Sequence, residues 1–195
     1  MIINFNDKTG SVKENYIQSL VLLFLPCESF SRDDSGENRL DGSADLTDGV
    51  VTVDVTLKFG DRNSTKKSQC VYDKNIKLQI KNFIGKTFLD AAESVFGYKS
   101  PWGIVTGIRP AKLAADYLSD HSSDETLDIL KDQYFTTDTK AEMCVRTAQN
   151  EMKLTESLED NTCSLYISVP FCPSKCRYCS FVSSPNKPES LIFLS

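Results

Sequence analysis

One stretch of strict alternation constrains the fold more than any other feature of this sequence. Between residues 51 and 59 every second side chain is apolar, in the series Val51, Val53, Val55, Leu57 and Phe59. A period of two places these side chains on one face of a β-strand, whereas a helix would scatter them around its axis. We therefore predict a half-buried strand here, which returns through a longish turn at residues 60–67 to a second strand at 68–72.

Helical periodicity dominates the rest of the first 158 residues. Apolar residues spaced three and four apart predict helices over residues 12–25, 76–95, 110–118, 122–133 and 137–154, with Gly85 a break inside the second. Pro110 suits the first turn of its helix, and Ser122 with Glu125 fits a capping box. Together with the strands, these helices predict an α+β domain over residues 1–158, and residues 159–195 form a second part.

The acidity of the chain is concentrated in one segment. Residues 28–49 contain seven acidic and two basic residues and few large apolar ones. Such a composition does not repay the entropy of ordering, so we predict a mobile, solvated loop over this range.

The charge and hydropathy of the whole chain exclude two classes of partner. There are 22 basic and 27 acidic residues, a net charge of -5, which provides no general attraction to nucleic acid or to an anionic membrane. The longest apolar run, Leu20 to Leu25, is far shorter than the roughly 20 residues that a membrane-spanning helix needs. The start of the chain also lacks the pattern of a secretory leader. We expect a cytoplasmic protein that contacts neither membrane nor nucleic acid.

Three of the seven cysteines lie close together near the end of the chain. Cys172, Cys176 and Cys179 follow an apolar, β-prone run at residues 164–171, which we predict to be a strand. A clustered, odd set of cysteines is more typical of metal binding or catalysis than of disulfides. Three soft thiolates on one short loop can surround a compact metal centre.

The number of thiolates separates two kinds of metal site. A closed zinc site needs four ligands. The nearest spare thiol, on Cys163, lies across the predicted strand, which spans about 26 Å at ~3.3 Å per residue. The lone histidine, His121, is more typical of an ordinary surface residue. A three-thiolate centre with one open position is therefore favoured, and a zinc-binding structural module remains an alternative.

The cysteine loop resembles the signature of the radical S-adenosylmethionine superfamily. The resemblance includes the spacing Cys-x3-Cys-x2-Cys, the preceding run from Tyr166 to Phe171, and Tyr178 before the last cysteine. Residues 100–113, SPWGIVTGIRPAKL, are similar to a segment upstream of the barrel in oxygen-independent coproporphyrinogen III oxidases of the HemZ type. One departure is Ser168, where relatives of the HemN type usually have histidine.

The resemblance implies a set of cofactors and their ligands. Cys172, Cys176 and Cys179 would each hold one iron of a [4Fe-4S] cluster, and S-adenosylmethionine would chelate the fourth iron. Tyr166 and Tyr178 match family positions that contact S-adenosylmethionine. The sequence does not indicate which residues are catalytic.

The same resemblance implies an oxidoreductase of heme biosynthesis. Its substrate would be coproporphyrinogen III, whose propionates are oxidatively decarboxylated to vinyl groups, and it would need an electron donor. Arg109 and Lys112 are candidates for binding the propionates, because arginine pairs well with carboxylates. A structural role at the Pro110 turn is the alternative.

The predicted fold is therefore an α+β domain followed by the first strand and cysteine loop of a radical S-adenosylmethionine (β/α) barrel. Only residues 180–195 follow the cysteines, so we expect a truncated barrel and a chain that is inactive alone. A heme-trafficking carrier of the same superfamily is an alternative function.

Overall fold

The computed structural model of the chain describes residues 1–31, 37–71, 77–156, 158–159, 161–163, 165–167, 171–172 and 184–185. It divides into two units, Met1–Glu156 and Ser157–Ser195. The sequence places a boundary after residue 158, and the assignment of the two parts as functional domains stays a prediction.

The first unit is an α+β fold, as predicted. Its strands and helices, in chain order, are β1 (Ile2–Asp7), α1 (Glu14–Leu22), β2 (Arg39–Thr47), β3 (Val50–Phe59), β4 (Arg62–Val71), α2 (Lys77–Phe96), α3 (Pro110–Leu118), α4 (Ser123–Asp132) and α5 (Asp138–Thr155). The four strands form one mixed sheet in the order β1-β2-β3-β4. β1 and β2 are parallel and are connected through α1, whereas the other two pairs are antiparallel.

The alternating strand is confirmed, and its apolar row forms part of the core. Val51, Val53, Val55 and Leu57 are all buried in β3, and α2 packs against β3 and β4. The return to β4 differs from the prediction, because the turn is short and β4 begins at Arg62. Residues 62–67 are polar and lack an apolar alternation, so the sequence pattern could not reveal that they pair with β3.

Gly85 does not break the second helix, so that prediction is wrong. α2 runs without interruption from Lys77 to Phe96, and Gly85 is buried within it. A Cβ at this position would lie 2.6 Å from Tyr16 Oη and 2.8 Å from Ile104 Cγ2. The glycine therefore permits close packing of α2, whose tertiary contacts outweigh its low helix propensity.

The mobile loop predicted at residues 28–49 is wrong for residues 39–47, which form β2. Leu40 and Ala44 are fully buried in this strand, and it pairs with β1 on one side and β3 on the other. Two neighbouring strands supply its hydrogen bonds, so a central strand forms despite its polar composition. Residues 32–36 lie outside the described part of the chain.

The helices that follow α2 agree with the sequence. The capping box of α4 is confirmed, because Ser122 Oγ accepts from the Glu125 N–H at 3.3 Å and Glu125 Oε2 accepts from the Ser122 N–H at 2.8 Å. Thr137 is the N-cap residue of α5, but its hydroxyl donates to the Pro101 carbonyl at 3.3 Å rather than capping the helix.

The second unit contains two short strands among its described residues. β5 (Phe171–Cys172) pairs in parallel with β6 (Ser184–Pro185). Residues 165–167 are not in a strand, so the strand predicted over 164–171 is wrong there. An apolar run forms a ladder only where a neighbouring strand is available, and the described neighbour reaches only Phe171 and Cys172.

Two further expectations concern the whole chain. That a radical S-adenosylmethionine barrel begins in the region of residues 164–171 stays a prediction. Among the residues that the structure describes, no helix is both long and apolar enough to cross a membrane.

Candidate cofactor site and the loop before α3

Of the three clustered cysteines, the structure describes Cys172. It lies on β5, is half-buried, and forms no disulfide. Cys176 and Cys179 lie outside the described residues, as does Tyr178. Within the described ranges no three histidine, cysteine or acidic side chains are grouped so that they could hold a metal ion. The three-cysteine set therefore stays a prediction.

Tyr166 lies in an exposed apolar stretch of the second unit. The exposed fractions are 85% for Leu165, 80% for Tyr166 and 78% for Ile167. Adjacent apolar side chains with this exposure are typical of a surface that binds a ligand or another polypeptide. The tyrosine ring and hydroxyl are accessible, and their contact with S-adenosylmethionine stays a prediction.

Two other cysteines have contrasting environments. Cys144 is buried in the core of the first unit, and its burial raises the pKa of its thiol, an effect that the nearby Lys140 partly opposes. A thiol held in its neutral form is a poor metal ligand and a poor nucleophile. Cys163 is exposed and outside any disulfide, so it is a suitable control position for experiments on the cysteine loop.

The segment at residues 100–113 is anchored by a close approach of two backbones. Gly103 has a φ of +55°, and a Cβ on it would lie 1.9 Å from the Tyr134 carbonyl oxygen. The next residue, Ile104, donates its N–H to the same oxygen at 2.9 Å. Only glycine fits here, which gives a physical reason for this glycine in the motif.

The beginning of the same segment fixes the start of α5. The Pro101 carbonyl accepts from the Thr137 N–H at 3.0 Å. Trp102 is half-buried, and Lys140 Nζ lies 4.8 Å from the centroid of its ring. These contacts indicate that the tryptophan and proline have a structural role.

The end of the segment is exposed. Gly107, Ile108 and Arg109 lie on the surface just before α3. Arg109 is the N-cap residue, and its carbonyl accepts from the N–H groups of Lys112 and Leu113 at 3.0 and 3.3 Å. The backbone of Arg109 thus has the predicted structural role at the Pro110 turn. The side chains of Arg109 and Lys112 both point toward solvent, and their contact with propionates stays a prediction.

Sequence reasoning missed the polar network beneath this segment. The hydroxyls of Tyr117 and Tyr134 are 2.9 Å apart, and Asn82 of α2 hydrogen-bonds to Tyr134. Burial raises the pKa of Tyr134, and its hydrogen bond with Tyr117 raises the pKa further. The network connects α2 and α3 through the residues that follow α4. No pattern in the sequence could have indicated it, because its members are far apart along the chain.

Phe135 is a second feature that the sequence did not reveal. Its φ of +60° places a bulky residue in the left-handed region that favours glycine. It follows the end of α4, where the Thr136 N–H donates to the Leu130 carbonyl at 3.2 Å, as in a C-terminal helix cap. The Phe135 ring packs against the core, and Lys86 Nζ lies 5.4 Å from its centroid. These contacts offset the backbone strain.

One curated protein is similar to most of this chain. The chain is 29% identical over 173 residues to the oxygen-independent coproporphyrinogen-III oxidase-like protein HemZ of Bacillus subtilis (strain 168). The aligned region makes up 85% of this chain and 34% of that protein, so the chain spans about a third of the length of its relative. The predicted resemblance to HemZ-type proteins is confirmed. No family model matches the chain, and no solved structure matches it.

Proposed function

We propose that this chain carries the cofactor-binding cysteines of a radical S-adenosylmethionine protein of the coproporphyrinogen oxidase type. The observation that carries the proposal is the similarity to HemZ over 85% of the chain, together with the spacing of Cys172, Cys176 and Cys179. The similarity alone leaves the chemistry open, and the cysteine spacing adds the reason to expect an iron-sulfur centre.

The donor set suits a cluster with one open iron. Three thiolates leave a single coordination position for a ligand that is not protein, and Cys172 is in no disulfide, as a cluster ligand must be. When bound, the cluster and S-adenosylmethionine would supply one-electron radical chemistry. The chain itself would hold the cluster through the three thiolates and position S-adenosylmethionine through Tyr166 and Tyr178.

The substrate and reaction are proposed for the longer polypeptide that includes such a chain. The substrate is coproporphyrinogen III, and each reacting propionate would lose carbon dioxide, one hydrogen atom and one electron to become a vinyl group, the electron passing to an external one-electron oxidant. This oxidation also requires an electron donor for the cluster. Arg109 and Lys112 are the candidates in the first unit for pairing with carboxylates, because both side chains are exposed at the start of a rigid helix.

The cofactor proposal is tested by reconstituting the 195-residue chain with iron and sulfide under anaerobic conditions. We expect about four irons and four acid-labile sulfides per chain. Electron paramagnetic resonance of the reduced cluster should change when S-adenosylmethionine is added. The triple variant Cys172→Ala, Cys176→Ala, Cys179→Ala should bind no cluster.

The matched control is Cys163→Ala, which removes an exposed cysteine of the same unit from outside the proposed set. It should bind iron and sulfide as the unmodified chain does. Stoichiometric zinc in the anaerobically purified chain would contradict the proposal and favour a zinc module. A cluster that is lost in Cys163→Ala would also contradict it, because Cys163 would then be a fourth ligand and no iron would be open.

The reaction itself requires a longer polypeptide in which the chain is followed by the remaining length of a HemZ-type protein. Supplied with S-adenosylmethionine, a reductant for the cluster and an electron acceptor, this polypeptide should convert coproporphyrinogen III with release of carbon dioxide. Stoichiometric heme binding without decarboxylation would instead indicate a carrier, even if the cluster assembled as proposed.

A further inference from the structure

The two edges of the four-stranded sheet differ in how accessible they are. β1 is six residues long, and a bridge between Ile2 and Ser31 covers its beginning. β4 is ten residues long, contains neither proline nor glycine, and pairs in continuous register with β3 alone among the strands that the structure describes. Every second residue of such an edge strand directs its N–H and C=O away from the sheet.

The charges on β4 all have the same sign. The strand contains Arg62, Lys66 and Lys67 and no acidic residue. Neither lysine forms an ion pair or side-chain hydrogen bond with the part of the chain that the structure describes. Asp54 lies opposite Lys67 in the register of β3, but its Oδ1 accepts a hydrogen bond from Ser43 Oγ at 2.6 Å. The edge therefore presents cations that form no ion pair with the described residues.

This pattern disfavours a second copy of the chain as the occupant. The β4 strands of two copies could pair antiparallel over most of their length. The helix-covered faces of the two sheets would then lie on the same side. Lys66 would then lie opposite Lys66 of the other copy, or Lys67 opposite Lys67. Like charges directly opposite each other destabilise a strand pair. The same lysines favour a strand that carries carboxylates, so the charges discriminate between the two kinds of partner.

The ends of β4 add two features that suit an extended ligand. At one end Arg62 is held in place, because its guanidinium carbon lies 5.8 Å from the centroid of the Phe96 ring. At the other end Val71 is 77% exposed and can cover an apolar side chain. A partner strand of similar length would thus meet cations at the start and middle of β4 and an apolar contact at its end.

We propose that β4 is a docking edge for an extended acidic segment of a partner polypeptide, which would add a fifth strand to the sheet. Backbone hydrogen bonds along the edge would provide affinity, and Lys66 and Lys67 would select for carboxylates. This role is independent of the cysteine loop and of the reaction proposed above.

The probe is a fluorescein-labelled peptide of ten residues, matched to the length of β4, in which pairs of glutamates alternate with pairs of valines. Its carboxylates then lie on both faces of the added strand, as Lys66 and Lys67 do on β4. Added to the full chain, it should bind saturably by fluorescence anisotropy, and its affinity should decrease with salt. Hydrogen exchange of the backbone amides of Arg62–Val71 should slow in the complex. A peptide with glutamine for glutamate should bind at least 10-fold more weakly, and N-methylation of alternate amides should abolish binding.

The variant pair separates this edge from general charge attraction. Lys66→Gln with Lys67→Gln should weaken binding about 10-fold or more, whereas Lys13→Gln with Lys153→Gln, an equal charge change at the start of α1 and on α5, should leave it unchanged. Circular dichroism should show both variants folded. The proposal is overturned if the unmodified chain does not bind saturably, if both variant pairs weaken binding equally, or if exchange slows elsewhere.

Discussion

Gly85 of α2 lies so close to Tyr16 of α1 that a Cβ added to the glycine would be 2.6 Å from the tyrosine hydroxyl oxygen. Tyr16 is itself buried, and its hydroxyl donates to the carbonyl of Lys81, one turn before the glycine, at 3.3 Å. The packing of α1 against α2 therefore depends on a residue with no side chain at this point.

We expect Gly85→Ala to destabilise the first unit by about 1–3 kcal/mol, the usual cost of overpacking a core. In an exposed helix the same change would stabilise by about 1 kcal/mol. Urea denaturation followed by circular dichroism measures the difference in free energy of unfolding. Tyr16→Phe in the Gly85→Ala background should recover part of the loss, because the contact with Ile104 remains. A stabilising Gly85→Ala would show that α1 and α2 are not packed as described.

Gly103 and Gly107 form a matched pair for a second prediction. Both have positive φ, +55° for Gly103 and +69° for Gly107. A Cβ added to Gly103 would lie 1.9 Å from the Tyr134 carbonyl oxygen, whereas a Cβ added to Gly107 would have no heavy atom of a non-adjacent residue within 4 Å among the described residues. Gly107→Ala should therefore cost about 1 kcal/mol for backbone strain alone. Gly103→Ala should cost about 3 kcal/mol or more, because two segments of backbone must separate. Equal losses in the two variants, measured by thermal and urea denaturation, would contradict the close approach at Gly103.

The parts of the fold that the sequence predicts are those with a local physical cause. Val51 to Phe59 form a strand because their period of two is a property of the segment itself. The capping box at Ser122 and Glu125 is local in the same way. Both are found where we expected them.

The parts that the sequence does not predict depend on distant neighbours. β2 forms because β1 and β3 lie on either side of it, and Gly85 stays helical because of Tyr16 and Ile104. β1 does show alternation at Ile3 and Phe5 against Asn4 and Asn6, but it is too short for this signal to be decisive. In the cofactor site the spacing of the cysteines can be read from the sequence. The relative positions of their sulfur atoms depend on contacts with other parts of the chain, which the spacing does not reveal.

Thr126 of α4 carries a fully buried hydroxyl that has no hydrogen-bond partner in the described structure. Burying such a group costs about 1–3 kcal/mol. Thr126→Val keeps the shape of the side chain and removes the hydroxyl, so it should raise the free energy of unfolding by about 1 kcal/mol. Thr126→Ser is the control, because it keeps the hydroxyl and removes the methyl group, and it should destabilise. A loss of stability in Thr126→Val would indicate that the hydroxyl has a partner in solution.

The buried tyrosines should make the first unit sensitive to alkali. Burial raises the pKa of Tyr16 above the ordinary tyrosine value of about 10, and the nearby Tyr134 raises it further. A group with a raised pKa in the folded state contributes stability below its unfolded pKa and loses that contribution as pH rises toward the folded value. The free energy of unfolding should therefore fall as the pH rises above about 10. Tyr16→Phe should flatten this decrease while lowering stability at neutral pH, where its hydrogen bond to Lys81 is lost. Urea denaturation at a series of pH values, with phenolate absorbance at each, checks both effects. A pH dependence that is the same in Tyr16→Phe as in the unmodified chain would exclude Tyr16 as its source.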